Sequence, residues 1–310
     1  MSENIDAAIE LAPNHKTGLT LANPVMPAAG CFGLGTEYAR LVKTEALGAV
    51  VVGPVTAGPR RGASPPRIAP IPGGVLLHTG LANPGIGAAI RRYARAWSRS
   101  PVPVIVHVAA TSPDETASCC HRLASVEAVA GIELGLPDTI DGSVEASGRG
   151  LANALNDAIA IIQAAHAAAR QPLTVRLPLV SARSLCEAAV QAGASALTIA
   201  APPRGTVWLS GSIEPGNVLP RPMWRESRGR FITGRLYGPS VLPLALRSIR
   251  QVAELVSVPL IGCGGIYSAA DAQAFLHAGA TAVQVSAAVW RDPSCLARIA
   301  CGLSPTDTLG

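Results

Sequence analysis

Lysine is nearly missing from this chain. Of its 25 basic residues only Lys16 and Lys43 are lysines, so almost all the positive charge is guanidinium. Arginine stays protonated and pairs with phosphate or carboxylate, but it cannot supply the amine of a Schiff base. Lys16 lies in the N-terminal tail and Lys43 on an expected first helix, which removes imine-forming aldol chemistry. Aromatic residues make up only 4% of the chain, too few near its arginine-rich stretch to stack single-stranded nucleic acid. No apolar run approaches the roughly 20 residues that span a bilayer. The opening MSENIDAAIE carries acids where a secretory signal would carry bases. The expectation is a cytoplasmic protein with neither membrane nor nucleic acid as partner. The seven cysteines are odd in number, with no CxxC pair and no zinc-like histidine spacing, so neither a disulfide frame nor a metal site is indicated.

What the chain does have is hydrophobic residues, 49% against 15% charged, enough for a packed core. Short apolar, β-branched runs recur at 24–28, 49–52, 104–109, 131–134, 173–177, 196–200, 259–262 and 282–286. They show no in/out alternation, the mark of parallel strands covered on both faces. Segments of helical period fall between them, at 36–46, 85–97, 113–129, 151–170, 182–192, 240–256, 269–278 and 292–301. Eight serial β-then-α units predict a single (β/α)8 TIM barrel over 1–310, with 1–17 a flexible N-terminal segment. Two stretches interrupt the alternation, a Pro/Gly-rich segment at 53–85 and a long loop at 203–236 after strand six. Both follow strand C-termini, the end of a barrel that carries active sites.

The seventh run ends in Gly262-Cys263-Gly264-Gly265-Ile266, ahead of a helix expected to start near Ser268, and the eighth ends in Ser286-Ala287. Main-chain N–H groups of a glycine-rich turn, added to the positive end of a helix, bind an anion without a charged side chain. The corner between strands seven and eight of a barrel often holds a phosphate.

From about Leu19 to Leu303 the chain resembles the dihydroorotate dehydrogenase family, its soluble class 1 members above all. The resemblance rests on LANPVMPAAGCFG (21–33), PPRIA (65–69), GLANPG (80–85), GRLYGPSVLPLAL (234–246), IGCGGI (261–266) and AGATAVQVSAA (278–288), in matching order and spacing. It implies an FMN across the barrel mouth. The phosphate would be held by the backbone at Gly238, Gly264, Gly265, Ser286 and Ala287. Gly30 would lie beneath the flavin ring, and Ile199 would touch it by backbone. Arg176 stands where the family has a flavin-contacting lysine, and His107 replaces a flavin-contacting asparagine.

The sequence departs from the family where the chemistry is done. The family's base is a cysteine in Asn-x-Ser-Cys-Pro-Asn; here the stretch reads Glu133-Leu134-Gly135-Leu136-Pro137-Asp138, with the Ser-Cys step deleted and the two asparagines replaced by Gly135 and Asp138. Expected asparagines are replaced by Leu77 and Ala200, and an expected lysine by Gly53. Each unpaired partner costs a polar substrate about 1 to 3 kcal/mol, which argues against dihydroorotate. The related tRNA dihydrouridine synthases also need a loop cysteine that is absent here. His78 and Asp138 are the candidates for catalysis, and Cys31, Cys119 and Cys120 read as packing residues. Arg221, Arg225, Arg228, Arg230 and Arg235, set against Glu226 alone, suit an anionic substrate or an acidic partner. Two functions follow from the sequence. The first is an FMN-dependent oxidoreductase acting on a small anionic substrate other than dihydroorotate. The alternative is a non-catalytic homologue that binds a phosphate ligand or acts as a structural partner subunit, and a homodimer or a partner subunit is the expected assembly.

Overall fold

The computed structural model describes residues 8–38, 40–137, 151–209 and 230–303. Its centre is an eight-stranded parallel sheet of Val25–Pro27, Val50–Val55, Val104–Ala109, Gly131–Gly135, Leu173–Pro178, Ala196–Ala201, Leu260–Cys263 and Ala282–Val285. These match the eight apolar runs; the second to the eighth strand pair in chain order, and the eighth returns to the first. The seam between the first and second strands is closed by loop hydrogen bonds, from Gly48 N–H to the Val25 carbonyl and from Gly30 N–H to the Gly53 carbonyl. The fold is the expected (β/α)8 barrel.

Most outer helices fall where the apolar period puts them: Ile86–Trp97, Pro113–Ala124, Leu151–Ala168, Ala182–Gln191, Leu242–Ala253, Ala269–His277 and Cys295–Gly302. The first one does not. Residues 36–46 contain turns and the 3-10 helix Thr44–Ala46. The Glu37 carboxylate accepts the N–H groups of Leu34, Gly35 and Thr36 and so holds a loop in place of a helix. An extra short helix, Ala287–Arg291, follows the eighth strand directly.

In the N-terminal segment, expected to be flexible, the described residues 8–17 take part in a hairpin. Ile9–Glu10 pairs antiparallel with Thr20–Leu21, and the Glu10 carboxylate ties the hairpin together by accepting from Ala12 and Leu19 N–H and from the Thr20 hydroxyl. Leu11, Leu19 and Leu21 pack against Met26, Val51, Ile105 and Ile261. These strand residues form the bottom layer of the barrel, so the hairpin plugs the end opposite the cavity.

The two interruptions meet in space. Ile68–Ile71 and Gly74–Leu77 lie in the first, Arg204–Leu209 and Arg230–Tyr237 in the second, and together they form one four-stranded antiparallel sheet. Arg235, Leu236 and Tyr237 lie opposite Leu77, Leu76 and Val75. The long loop expected after strand six is therefore a β-ribbon at both its described ends, standing over the barrel mouth.

Candidate active site

A cavity of about 520 Å³ opens at the C-terminal ends of the strands, under the ribbon sheet. Its size is that of a small-molecule site. Gly30, Arg60, Leu77, His78, His107, Gly135, Arg176, Arg204, Arg235, Tyr237 and Trp290 are among its walls. Among the described residues the walls carry four arginines and two histidines, and no carboxylate. Arg235 is partly anchored, donating from Nη1 to the Pro202 carbonyl at 2.7 Å. A low-dielectric cleft with charge of one sign concentrates the opposite sign within it.

Beneath the cavity lies a buried polar network centred on Glu133, which is fully inaccessible. Arg176 Nη2 lies 3.1 and 3.3 Å from its two oxygens, Thr198 donates at 2.9 Å and Gln284 Nε2 at 2.7 Å. His107 Nδ1 is 2.8 Å from Oε1, and Arg176 Nη2 also reaches the Gln284 carbonyl oxygen. Burial alone pushes the Glu133 carboxyl up, but the Arg176 guanidinium, with hydrogen bonds from His107 and Gln284, overcomes it and holds the group well below the usual carboxylate range. Burial likewise works against the Arg176 charge, and Glu133 outweighs it, leaving the guanidinium more basic than usual. A buried charge left alone would cost several kcal/mol, about what the pairing offsets.

The network leaves two groups unused. Arg176 Nε is buried with no acceptor, an arrangement native proteins seldom keep without a reason. The Glu133 carboxylate only accepts, so His107 donates from Nδ1–H. No hydrogen bond forms at His107 Nε2 among the described residues, and that edge of the ring borders Gly135 and the cavity.

A second, smaller space of about 10 Å³ lies beside the cavity, lined by Gly238, Gly264, Gly265, Ser286, Cys263 and Tyr237 among others. It brings four of the five expected phosphate-binding positions to one corner. Among the described residues, the N–H groups of Gly238, Gly264, Gly265 and Ser286 donate to no carbonyl. Gly265 has φ of +75° and a β-carbon there would lie 2.5 Å from Leu242 N, so only glycine fits. The helix after the glycine turn behaves differently from the expectation. Ser268 and Asp271 form a capping box, and the Asp271 carboxylate accepts the N–H groups of Tyr267 and Ser268. That helix end has its own anion, and the free donors at the corner come from the turns.

Of the remaining candidates, Gly30 has φ of +84° and a β-carbon on it would meet nothing within 4 Å, so its face is open to the cavity. Ile199 is fully buried, and it is Ala201 that lines the cavity wall. Ala287 is buried at the start of the short helix behind Ser286. His78 is exposed at the cavity rim, its N–H donated to the Arg67 carbonyl. Asp138 lies outside the described residues, as do Arg221, Arg225, Glu226 and Arg228. The Cys31 thiol donates to the Ala28 carbonyl at 2.9 Å, and burial pushes it well above its usual range. Cys119 and Cys120 are buried in the helix Pro113–Ala124. No helix among the described residues is long and apolar enough to cross a membrane, and no three His, Cys, Asp or Glu among them gather as a metal site.

Sequence reasoning passed over Glu133, Thr198, Gln284, Tyr237 and Arg60. Glu133 and Gln284 had a visible signal: each is a lone polar residue inside an otherwise apolar run, which a barrel tolerates only with a partner.

The sequence model of the family described as dihydroorotate dehydrogenase matches residues 13–306. The chain is 38% identical over 292 residues to the dihydroorotate dehydrogenase B (NAD(+)) catalytic subunit of Pelobacter propionicus, covering 92% of this chain and 90% of that one. With the same protein of Desulforudis audaxviator it shares 36% over 292 residues, covering 92% and 89%. Among solved structures, a DHODH of Eimeria tenella in complex with ferulenol superposes with a TM-score of 0.70, at 18% identity, over 97% of this chain and 85% of that one. At that identity the superposition speaks for the fold alone, while the sequence matches span nearly all of the chain, which thus belongs to the dihydroorotate dehydrogenase family.

Proposed function

We propose that this protein is an FMN-dependent oxidoreductase of the cytoplasm that acts on a small anionic substrate other than dihydroorotate. The observation that carries the reading is the set of undonated N–H groups of Gly238, Gly264, Gly265 and Ser286 at one corner of a cavity walled by Arg60, Arg176, Arg204 and Arg235. The residues present fit a flavin. The corner suits its phosphate, the open face of Gly30 suits a flat ring, and the spare Nε of Arg176 suits an electron-rich ring edge. His107 is a further contact at the cavity floor. The corner now has room for about one water, and Tyr237, which lines both spaces, is the side chain whose movement makes room for a phosphate. When bound, a flavin supplies two-electron chemistry, and the chain supplies binding, orientation and charge.

Dihydroorotate is disfavoured by the walls themselves. A β-carbon at position 53 would lie 2.8 Å from the His107 carbonyl, and one at position 135 within 2.6 Å of the His107 ring. Polar side chains expected there from the family are thus replaced by packed backbone and imidazole. This same loss favours the second reading, a homologue without catalysis that partners an active subunit. The relatives are named catalytic subunits, so a partner subunit belongs to either reading.

The visible spectrum of the purified protein separates the two. Bound flavin absorbs near about 450 nm. A colourless protein that takes up no added FMN would favour the second reading. Turnover of dihydroorotate at about 1 per second or faster would overturn the assignment of a different substrate.

A further inference from the structure

We propose that His107 is the proton acceptor of this cavity, taking the place of the base that the loop after the fourth strand lacks. The proposal rests on the cavity being the substrate site, but not on flavin being bound there.

Three observations lead to it. Glu133 is ionised, inaccessible and held by Arg176, Thr198 and Gln284, so its orientation is set independently of the imidazole. It accepts from His107 Nδ1 at 2.8 Å, which leaves the Nε2 lone pair as what the ring offers elsewhere. Gly135, on the neighbouring strand, gives the ring its room: any side chain there would start within 2.6 Å of Nε2, and the ring lines the cavity wall. This is the carboxylate–imidazole arrangement that fixes a tautomer and stabilises the imidazolium once a proton arrives. The charges around the ring suit it. Glu133 and Arg176 cancel, Thr198 and Gln284 are neutral, and Arg60, Arg204, Arg235 and His78 face it across the cavity with Tyr237. Protonation at Nε2 therefore leaves one net positive charge on the cavity floor, next to where the substrate's negative charge forms.

In the step, the bond between the substrate and its acidic hydrogen breaks, the Nε2–H bond forms, and the electron pair stays on the substrate as an anion facing the arginines. Among the described residues no other group in the cavity is as well placed. His78 is exposed at the rim and lacks an orienting carboxylate. Burial pushes the Tyr237 phenol up to about 12, and the Cys263 thiol, also raised by burial, lies against Arg176 at 3.8 Å.

The test uses the whole protein labelled with 15N in its histidine rings, the His107 signals being assigned by their loss in His107→Asn or His107→Gln. On the neutral side of its titration the ring should carry its hydrogen on Nδ1, with Nε2 bare. The ring is then titrated with and without sodium sulfate, a non-titrating anion, at matched ionic strength. Sulfate in the cavity should raise the His107 titration midpoint by about half a unit or more, roughly threefold in proton affinity. A purely structural histidine closed off from the cavity would not respond. A hydrogen on Nε2, or a midpoint that sulfate leaves unmoved, overturns the proposal. Failure to bind FMN would sink the flavoprotein reading and leave both of these measurements unaffected.

Discussion

His107 Nε2 lies 2.6 Å from the point where Gly135 would carry a β-carbon. The two residues stand on adjacent strands, Val104–Ala109 and Gly131–Gly135, and the imidazole fills the room that a side chain at 135 would need. The absence of a side chain at one position and the presence of a bulky ring at the other are one structural change.

Gly135→Asn should therefore destabilise the protein by about 1 to 3 kcal/mol, the range for an overpacked site. His107→Asn made in the same chain should recover most of it. Urea unfolding of the two single variants and the double variant gives the coupling, expected at about 1 kcal/mol or more. Losses that simply add would show that the two positions do not share a volume.

Glu133→Gln leaves Arg176 buried without its counter-charge and should cost about 3 to 5 kcal/mol. The pH dependence has a definite sign. The folded protein holds the Glu133 carboxyl well below its usual range, because Arg176 and the hydrogen bonds of His107 and Gln284 outweigh the effect of burial. Its contribution is then fully present above the unfolded value of about 4.3 and fades as pH falls through the acid range. The stability of Glu133→Gln should fall less steeply than that of the natural protein below about pH 4, read by denaturant unfolding across that range. Parallel acid limbs would refute the pairing.

At the corner, Gly265→Ala places a β-carbon 2.5 Å from Leu242 N at a φ of +75°. The variant should lose about 1 to 3 kcal/mol of stability and should fail to take up added FMN, as followed by visible absorbance after gel filtration. Flavin uptake equal to that of the natural protein would remove the glycine turn from the binding site.

Tyr237 lines both the cavity and the corner, and Tyr237→Ala should raise FMN affinity by enlarging the corner. Fluorescence quenching of FMN measures this, and weaker binding would assign the ring to holding the flavin instead. Burial pushes its phenol up to about 12, against the pull of Arg176 and Arg235. The stability linked to this group is present below the ordinary tyrosine value of about 10 and is lost as pH rises towards 12. Tyr237→Phe should remove that late step from the alkaline ultraviolet titration.

Much of the fold was legible because its signals are local. Eight apolar runs each fall on a barrel strand, and Gly264 and Gly265 of IGCGGI sit at the turn where positive φ is needed. The miss at 36–46 was also local in origin: apolar spacing there fits a helix, yet the Glu37 side chain captures three backbone N–H groups and keeps a loop. At the site, the glycine corner and the positions of Arg176 and His107 could be read from motif order. The partner they share shows in the sequence only as a lone polar residue in an apolar run, and nothing local says which side chains it meets.

By itself the sequence determined that this chain forms β/α units in series and that a glycine-rich turn stands after the seventh. Those properties depend on residue type and short spacing. Only the tertiary structure decided that the two interruptions pair into one sheet over the mouth, and that Glu133 gathers Arg176, Thr198 and Gln284 from positions 43, 65 and 151 residues away. Which side chains meet inside a closed barrel is set by strand tilt and register, and these exist only once all eight strands have come together.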